Sequence, residues 1–189
     1  MLNLNKFIEI FISVQILIIS TFLPVLISIP ITNKSIATLD MPITWQIPFI
    51  ILITLIFNGE IVTKAFSIYL IIGTFFLPVF HQGGSTGYLL TPNFGYLLGI
   101  YPLIKIIDNL NKINRKIDYY ELIKYGTLGI FSMHIIGITY SFIQLIYFKK
   151  LNLLFYTFAK YSFGKIGYHL LMLTPIILLL KLINNKYKK

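Results

Sequence analysis

Six long apolar runs, separated by short polar breaks, organise the chain. The first extends from about Phe7 to Ile29, with Gln15 inside it and a kink expected at Pro24. The second, "ITWQIPFIILITLIF" from Ile43 to Phe57, is short for a full crossing unless tilted or partly re-entrant. A third covers about Ile61 to Val79 and a fourth Phe94 to Ile107. The fifth runs from about Leu122 to Phe148 and the sixth from Gly164 to Ile183. A bilayer crossing takes about 20 apolar residues, so each run predicts a membrane helix. The expected fold is an all-α integral membrane protein, one domain over 1–189 with six transmembrane helices. The polar stretch Asp108 to Glu121 divides it into four helices and two.

Composition agrees with this pattern. Charged residues make up 12% of the chain, hydrophobic residues 57%, and mean hydropathy is +0.81. Soluble domains carry roughly 25% charged residues, so this chain lacks the polarity for a water-facing surface. The net charge of +10 sits in the breaks between apolar runs. There it reads as an orientation signal and a contact with anionic membrane lipid, not as a nucleic-acid surface. Six crossings place both termini on one side. Five of the sixteen Lys and Arg (Lys34, Lys149, Lys150, Lys160 and Lys165) then fall on the opposite side and the rest beside the termini. Cytoplasmic termini and a cell-membrane location follow from that bias. The first run is read as a retained span and not a cleaved signal, because it is longer than a signal's apolar core.

Several chemistries are excluded. Zero cysteines remove disulfides and thiolate sites. The acidic residues Glu9, Asp40, Glu60, Asp108, Asp118 and Glu121 lie mostly at segment ends, which argues against a carboxylate ion relay. His81, His134 and His169 follow no metal-binding spacing, and no catalytic elbow or phosphate loop is present. Neither an enzyme nor a resident cofactor is expected.

The stretch "PVFHQGGSTGYLLTPNFGYLLGIYP", Pro78 to Pro102, stands apart. It is rich in glycine, carries no Lys or Arg between residues 80 and 93, and faces outward on the predicted topology. Irregular backbone at membrane depth persists only where it is buried or lines a cavity. Glycines admit close backbone approach. Tyr88, Phe94, Tyr96 and Tyr101 offer flat apolar surface, and Asn93 an amide that donates and accepts. Together they suit a small-molecule pocket, with an exposed turn as the plain alternative. Gly95 and Gly99 form a small-xxx-small pair suited to close helix packing. Trp45 reads as an interfacial anchor, and His134 as a hydrogen-bonding group between helices. Lys165, at the outer start of the sixth run, is placed either to snorkel or to pair with a ligand carboxylate.

These residues resemble the BioY family, the biotin-binding subunits of energy-coupling-factor (ECF) transporters. Pro42, Ile43, Thr44 and Gln46 match a Pro-Ile/Val-Thr-x-Gln element, and Leu77 to Phe80 match the entry to a glycine-rich loop. "TPNFGYLLG" matches a Gly-Pro-Thr-Gly-Gly-Tyr-Leu-x-Gly element at Pro92, Gly95, Tyr96, Leu97 and Gly99. The order and spacing agree over roughly residues 24 to 107, and more loosely beyond. Two elements depart from the pattern. Where the family carries Pro-Gly-Asp-x-x-Lys, this chain reads "SFGKIGYHLL", with Lys165 at the Asp position and Tyr168 at the Lys position. The first span also lacks the family's alanine-rich face and has only Ser13, Ser20, Thr21 and Ser28 as small residues.

The resemblance implies an ECF S-component-like bundle that captures biotin from outside. It also implies partnership with a transmembrane coupling subunit and two cytoplasmic ATPases, although some members work without dedicated partners. On this reading Gln46, Thr86 and Asn93 bond the ureido ring. Tyr88, Tyr96 and Tyr101 wall the ring and chain, and Lys165 meets the carboxylate. A subunit for a different small vitamin, or a non-transporting membrane scaffold, are the alternatives.

Overall fold

The apolar run that opens the chain is two elements, not one helix. In the computed structural model, which describes residues 4–32, 35–81, 83–113 and 119–186, helix α1 covers Leu4–Phe22 and stops before Pro24. Strands β1 (Pro24–Thr32) and β2 (Ser35–Thr44) follow as an antiparallel hairpin, with Pro24 opposite Thr44 and Thr32 opposite Ser35. The expected span to Ile29 is therefore corrected. Pro24 and Pro30 cannot donate helical hydrogen bonds, and the Val, Ile and Thr between and beyond them favour extended backbone. The Trp45 amide donates to the Leu23 carbonyl (3.0 Å) and clamps the hairpin base onto the end of α1.

Helix α2 (Gln46–Phe57) returns through the bundle, and Asn58 turns the chain directly into α3 (Gly59–Phe75). Asn58 adopts φ 84° with ψ 159°, backbone that residues other than glycine rarely take, and its Oδ1 accepts from the Ile61 amide (3.2 Å). After the glycine-rich loop come α4 (Pro92–Leu98) and α5 (Ile100–Ile113). The two are nearly continuous and break at Gly99, because Pro102 has no amide to offer the Leu98 carbonyl. Helix α6 (Tyr119–Tyr147) is the longest. The last helical segment begins at Leu151, well before the expected start at Gly164. It contains α7 (Leu154–Phe158), a π turn (Ala159–Phe163), α8 (Gly164–Leu171) and α9 (Leu173–Lys186). Leu151, Leu153 and Phe155 make this stretch apolar enough to stay helical and face outward.

The described residues thus form six helical segments, and the protein is an integral membrane protein built as a helical bundle. Leu4–Phe22, Tyr119–Tyr147 and Leu151–Lys181 have the length and apolarity to cross a membrane alone, and Gln46–Phe57 is a shorter apolar helix. Phe7, Phe11, Phe75, Ile135, Phe155 and Leu178 are exposed, as suits a lipid-facing surface. Inside, Leu17, Ile50, Phe66, Tyr69, Leu103 and Ile104 are among the fully buried side chains of one core. Ser13, Ser20 and Thr21 of α1 point into this core, and their hydroxyls bond the helix's own carbonyls. Of the cations used to orient the chain, Lys34, Arg115, Lys116, Lys188 and Lys189 lie outside the described residues.

Asp108 on α5 caps the start of α3 across the bundle. Its Oδ1 accepts from the Gly59 amide (2.7 Å) and its Oδ2 pairs with Lys112 (2.6 Å). A Cβ at Gly59 would lie 2.5 Å from the Asp108 side chain, so glycine is required there. Asp108→Ala strands a buried amide and should cost about 1–3 kcal/mol. The measurement is the unfolding midpoint in detergent titrated with SDS. An unchanged midpoint would remove the cap from the account.

Candidate functional site

An open-mouthed cavity of about 110 Å³ lies at the end of the bundle where α1 stops and α2 begins. Its walls come from several elements. β2 and the start of α2 supply Ile43, Thr44, Gln46 and Ile47; the loop supplies His81 and Tyr88; and α4 and α5 supply Asn93, Tyr96, Leu97 and Ile100. Helix α6 adds Met133, and the last segment adds Tyr161, Lys165 and His169. Apolar walls with a few fixed polar groups are what a small-molecule site requires.

Gln46 is held from behind. Its Nε2 donates to the Tyr69 hydroxyl (3.1 Å), which lies 3.0 Å from Thr21 Oγ1, and that hydroxyl donates to the Leu17 carbonyl (2.8 Å). This chain of bonds ties the start of α2 to α3 and α1 and fixes the plane of the Gln46 amide at the cavity wall. Tyr69 also packs on Phe80 (5.3 Å between ring centroids), and Phe80 packs on Tyr88 (4.6 Å). An aromatic ladder therefore runs from the core to the cavity. Burial pushes the Tyr88 phenol up, helped by the neighbouring Tyr69 and Tyr161, while a hydrogen bond with Asn93 opposes the shift. Tyr88 accordingly stays protonated at neutral pH and available as a donor.

In the glycine-rich loop one glycine supplies a turn and another approaches the protein's own backbone. Gly83 takes φ +111° to close a tight pairing with Phe80, and a Cβ at Gly84 would meet the Gly73 carbonyl at 2.5 Å. The loop thereby seats Phe80 and Tyr88. The Tyr140 hydroxyl and Gln144 Nε2 (3.2 Å) both donate to the Leu89 carbonyl and tie the loop to α6.

Five of the expected contact residues, Gln46, Tyr88, Asn93, Tyr96 and Lys165, meet at this cavity. Thr86 and Tyr101 do not. The short 3-10 turn Thr86–Leu90 sends Tyr88 inward, which leaves Thr86 exposed at a neighbouring cleft with Thr74 and Pro78. Tyr101 follows Ile100 by one helical step and so faces α3, where its hydroxyl meets Ser67 Oγ (2.9 Å) and its ring packs on Phe66 (5.1 Å). His81, Tyr161 and His169 also line the cavity and were not among the expected contact residues. Tyr161, Lys165 and His169 recur every four residues, a stripe that becomes visible once the last helix is started early enough.

The polar groups of the site are unevenly satisfied. Lys165 Nζ stands 5.8 Å from the centroid of the Tyr161 ring and has no ion-pair partner among the described residues. The Tyr96 hydroxyl is buried and lies beside the Ser162 and Ser141 hydroxyls. His134 bonds Ser162 Oγ through Nδ1 (2.8 Å) and His169 Nδ1 through Nε2 (3.1 Å), which joins α6 to the last segment. Trp45 sits just outside, near Val25, Ile43, Met172 and Tyr168 at the hairpin base.

Fold and cavity together define a helical membrane bundle with an open cavity of small-molecule type beside the base of its hairpin. The family model for the BioY family matches residues 3–181, and the chain belongs to that family. It is 29% identical over 109 residues to a Lysinibacillus sphaericus protein named "Probable biotin transporter BioY". That alignment takes in 56% of this chain and 54% of the relative, about half the length of each. The fold is similar to the crystal structure of the S-component for biotin from an ECF-type ABC transporter. The TM-score is 0.63 at 18% identity, over 96% of this chain and 95% of that one.

Proposed function

We propose that this protein captures biotin in the cavity described above and serves as the substrate-binding subunit of an ECF-type vitamin transporter. The observation that carries the reading is the convergence of Gln46, Tyr88, Asn93 and Tyr96 with the unpaired Lys165 on one small apolar cavity, in a chain of the BioY family. Biotin has a ureido ring that needs both acceptors and donors, a thioether ring and chain that need apolar walls, and a carboxylate that needs a cation. Gln46, Asn93 and the Tyr88 hydroxyl suit the ureido group, and the Tyr96 ring adds flat wall. Ile47, Leu97, Ile100 and Met133 suit the apolar part, and Lys165 the carboxylate.

In this reading the protein works by binding, without covalent chemistry or a resident cofactor. It lies in the cell membrane with both termini in the cytoplasm and the cavity facing outward. A transmembrane coupling subunit and two ATPases would supply the energy.

Trp45, the chain's single tryptophan, directly precedes Gln46, so its fluorescence reports on occupancy. Purified protein is expected to bind labelled biotin and to change its tryptophan emission on titration. Asn93→Ala should weaken binding roughly tenfold or more, as expected for a lost buried hydrogen bond, while the protein stays folded and loses at most about 0.5–1.5 kcal/mol with its bond to Tyr88. Absence of labelled-biotin binding at micromolar concentration, with no emission change, would sink the assignment. Tagged protein drawn from its native membrane should bring the coupling subunit with it; purification alone would remove the partner claim and leave the binding claim standing.

A further inference from the structure

His134 and His169 form a hydrogen-bonded wire that begins at Ser162 and ends at the ligand cavity. Ser162 is fully buried, His134 is 1% exposed and His169 9%. The bonds run from Ser162 Oγ to His134 Nδ1 (2.8 Å) and from His134 Nε2 to His169 Nδ1 (3.1 Å). His169 lines the cavity, and its remaining ring nitrogen, Nε2, has no partner among the described residues. In each neutral ring one nitrogen donates and the other accepts. An uncharged pair therefore has two self-consistent arrangements. Either Ser162 donates to His134, His134 donates to His169 and His169 Nε2–H donates into the cavity, or every bond runs the other way and Nε2 accepts. The serine hydroxyl can serve both, so neither arrangement strands a buried group.

We infer that His169 is a further specificity-determining residue, and that the Ser162–His134 pair behind it lets its cavity-facing nitrogen take either polarity, so that the bound ligand selects the donor form. The inference rests on the biotin reading and deepens it. His169 lies one helical turn beyond Lys165, so both side chains lie on one face of the last segment. The cavity is also lined by Tyr161, Tyr96, Tyr88 and His81, and no carboxylate is among its lining residues. A ligand carboxylate therefore finds two donors, the Lys165 ammonium and His169 Nε2–H, and no competing anion. Carboxylate binding selects the first arrangement, with the Nε2–H tautomer in both histidines. A ligand ending in a hydroxyl could use either arrangement, so the wire favours a carboxylate without rejecting a neutral terminus.

The test compares biotin with biotin alcohol, in which the carboxylate is a CH₂OH group. His169→Phe keeps a ring but removes both nitrogens. It should weaken biotin about tenfold or more, the range for a hydrogen bond to a charged group, and weaken biotin alcohol far less. His169→Gln, which retains an N–H near the position of Nε2, should restore most of the biotin affinity. A structural role alone would lower both ligands by the same factor in both variants. Ring-nitrogen NMR of ¹⁵N-histidine protein gives a second readout on the wild type, whose three histidines are few enough to assign. With biotin bound, His134 and His169 should both carry their proton on Nε2.

Equal loss for the two ligands, no loss at all, or a proton on His134 Nδ1 in the biotin complex would overturn the clamp and leave biotin binding intact. A wild type that binds no biotin would overturn both readings at once.

Discussion

Lys165→Gln is expected to weaken biotin binding by about 30-fold or more while leaving biotin alcohol nearly unaffected. Removing one member of a buried, hydrogen-bonded charge pair costs about 2–5 kcal/mol, and each 1.4 kcal/mol is tenfold. Lys165 is half-buried, which puts its effect toward the lower end of that range. Without ligand, the ammonium stands near the Tyr161 ring with no anion to pair with among the described residues, and cation–π contact of this kind is a modest compensation. A carboxylate is the partner the geometry lacks. Glutamine keeps a donor, one bond nearer the backbone, and most of the side-chain bulk but removes the charge, so the variant separates charge pairing from packing. Isotherms for both ligands, with unfolding midpoints alongside, decide the matter. If the two ligands lose affinity equally, Lys165 shapes the cavity and does not read the carboxylate.

The last-helix stripe also shows where sequence reading reaches its end. Apolar runs and their breaks announced a membrane bundle, because length and hydropathy depend on composition along the chain and not on contacts. Element type failed at Pro24–Thr44, since a short apolar stretch rich in Val, Ile and Thr has no periodicity that separates strand from helix. The start of the last segment failed for a similar reason. Lys160 and Lys165 make residues 149–165 look like a basic loop, yet Leu151, Leu153, Leu154, Phe155 and Phe158 carry the helix through it.

For the site, polar and aromatic residues in an oily setting were visible, and so Gln46, Tyr88, Asn93, Tyr96 and Lys165 could be named in advance. Which way a side chain faces at the end of an element was not visible. Thr86 and Tyr101 each sit one or two residues from cavity-lining neighbours, and only the phase of a short turn or helix decides their direction. The His134–His169 contact joins positions 35 residues apart, and nothing local in the sequence announces it.

Gly99→Ala should be a strongly damaging single-methyl change in the bundle. The Gly95/Gly99 pair was expected to serve close helix packing, and both glycines lie against α6. A Cβ at Gly99 would stand 2.5 Å from the Met133 carbonyl oxygen and 2.8 Å from its Cα. The obstacle is backbone, so no rotamer change relieves it. Ordinary contact begins near 3.4 Å, so α6 must move about 0.9 Å, the difference between 3.4 and 2.5 Å. That move does not stay local, because the interface is built from reciprocal fits. A Cβ at Gly95 would meet Tyr140 at 2.4 Å, and one at Gly137 would meet the Tyr96 ring at 2.3 Å. Tyr96 and Met133 line the cavity and His134 follows Met133, so displacing α6 from α4 also spoils the site. Overpacking of this kind costs about 1–3 kcal/mol or more, and binding should fall with stability. Gly167→Ala is the matched control. It places the same methyl on α8, where nothing lies within 4 Å, and should be neutral or stabilising by about 0.5–1 kcal/mol. The decisive comparison is the unfolding midpoint and biotin affinity of the two variants side by side. If Gly99→Ala matches wild type on both, the α4–α6 interface has slack that these distances deny.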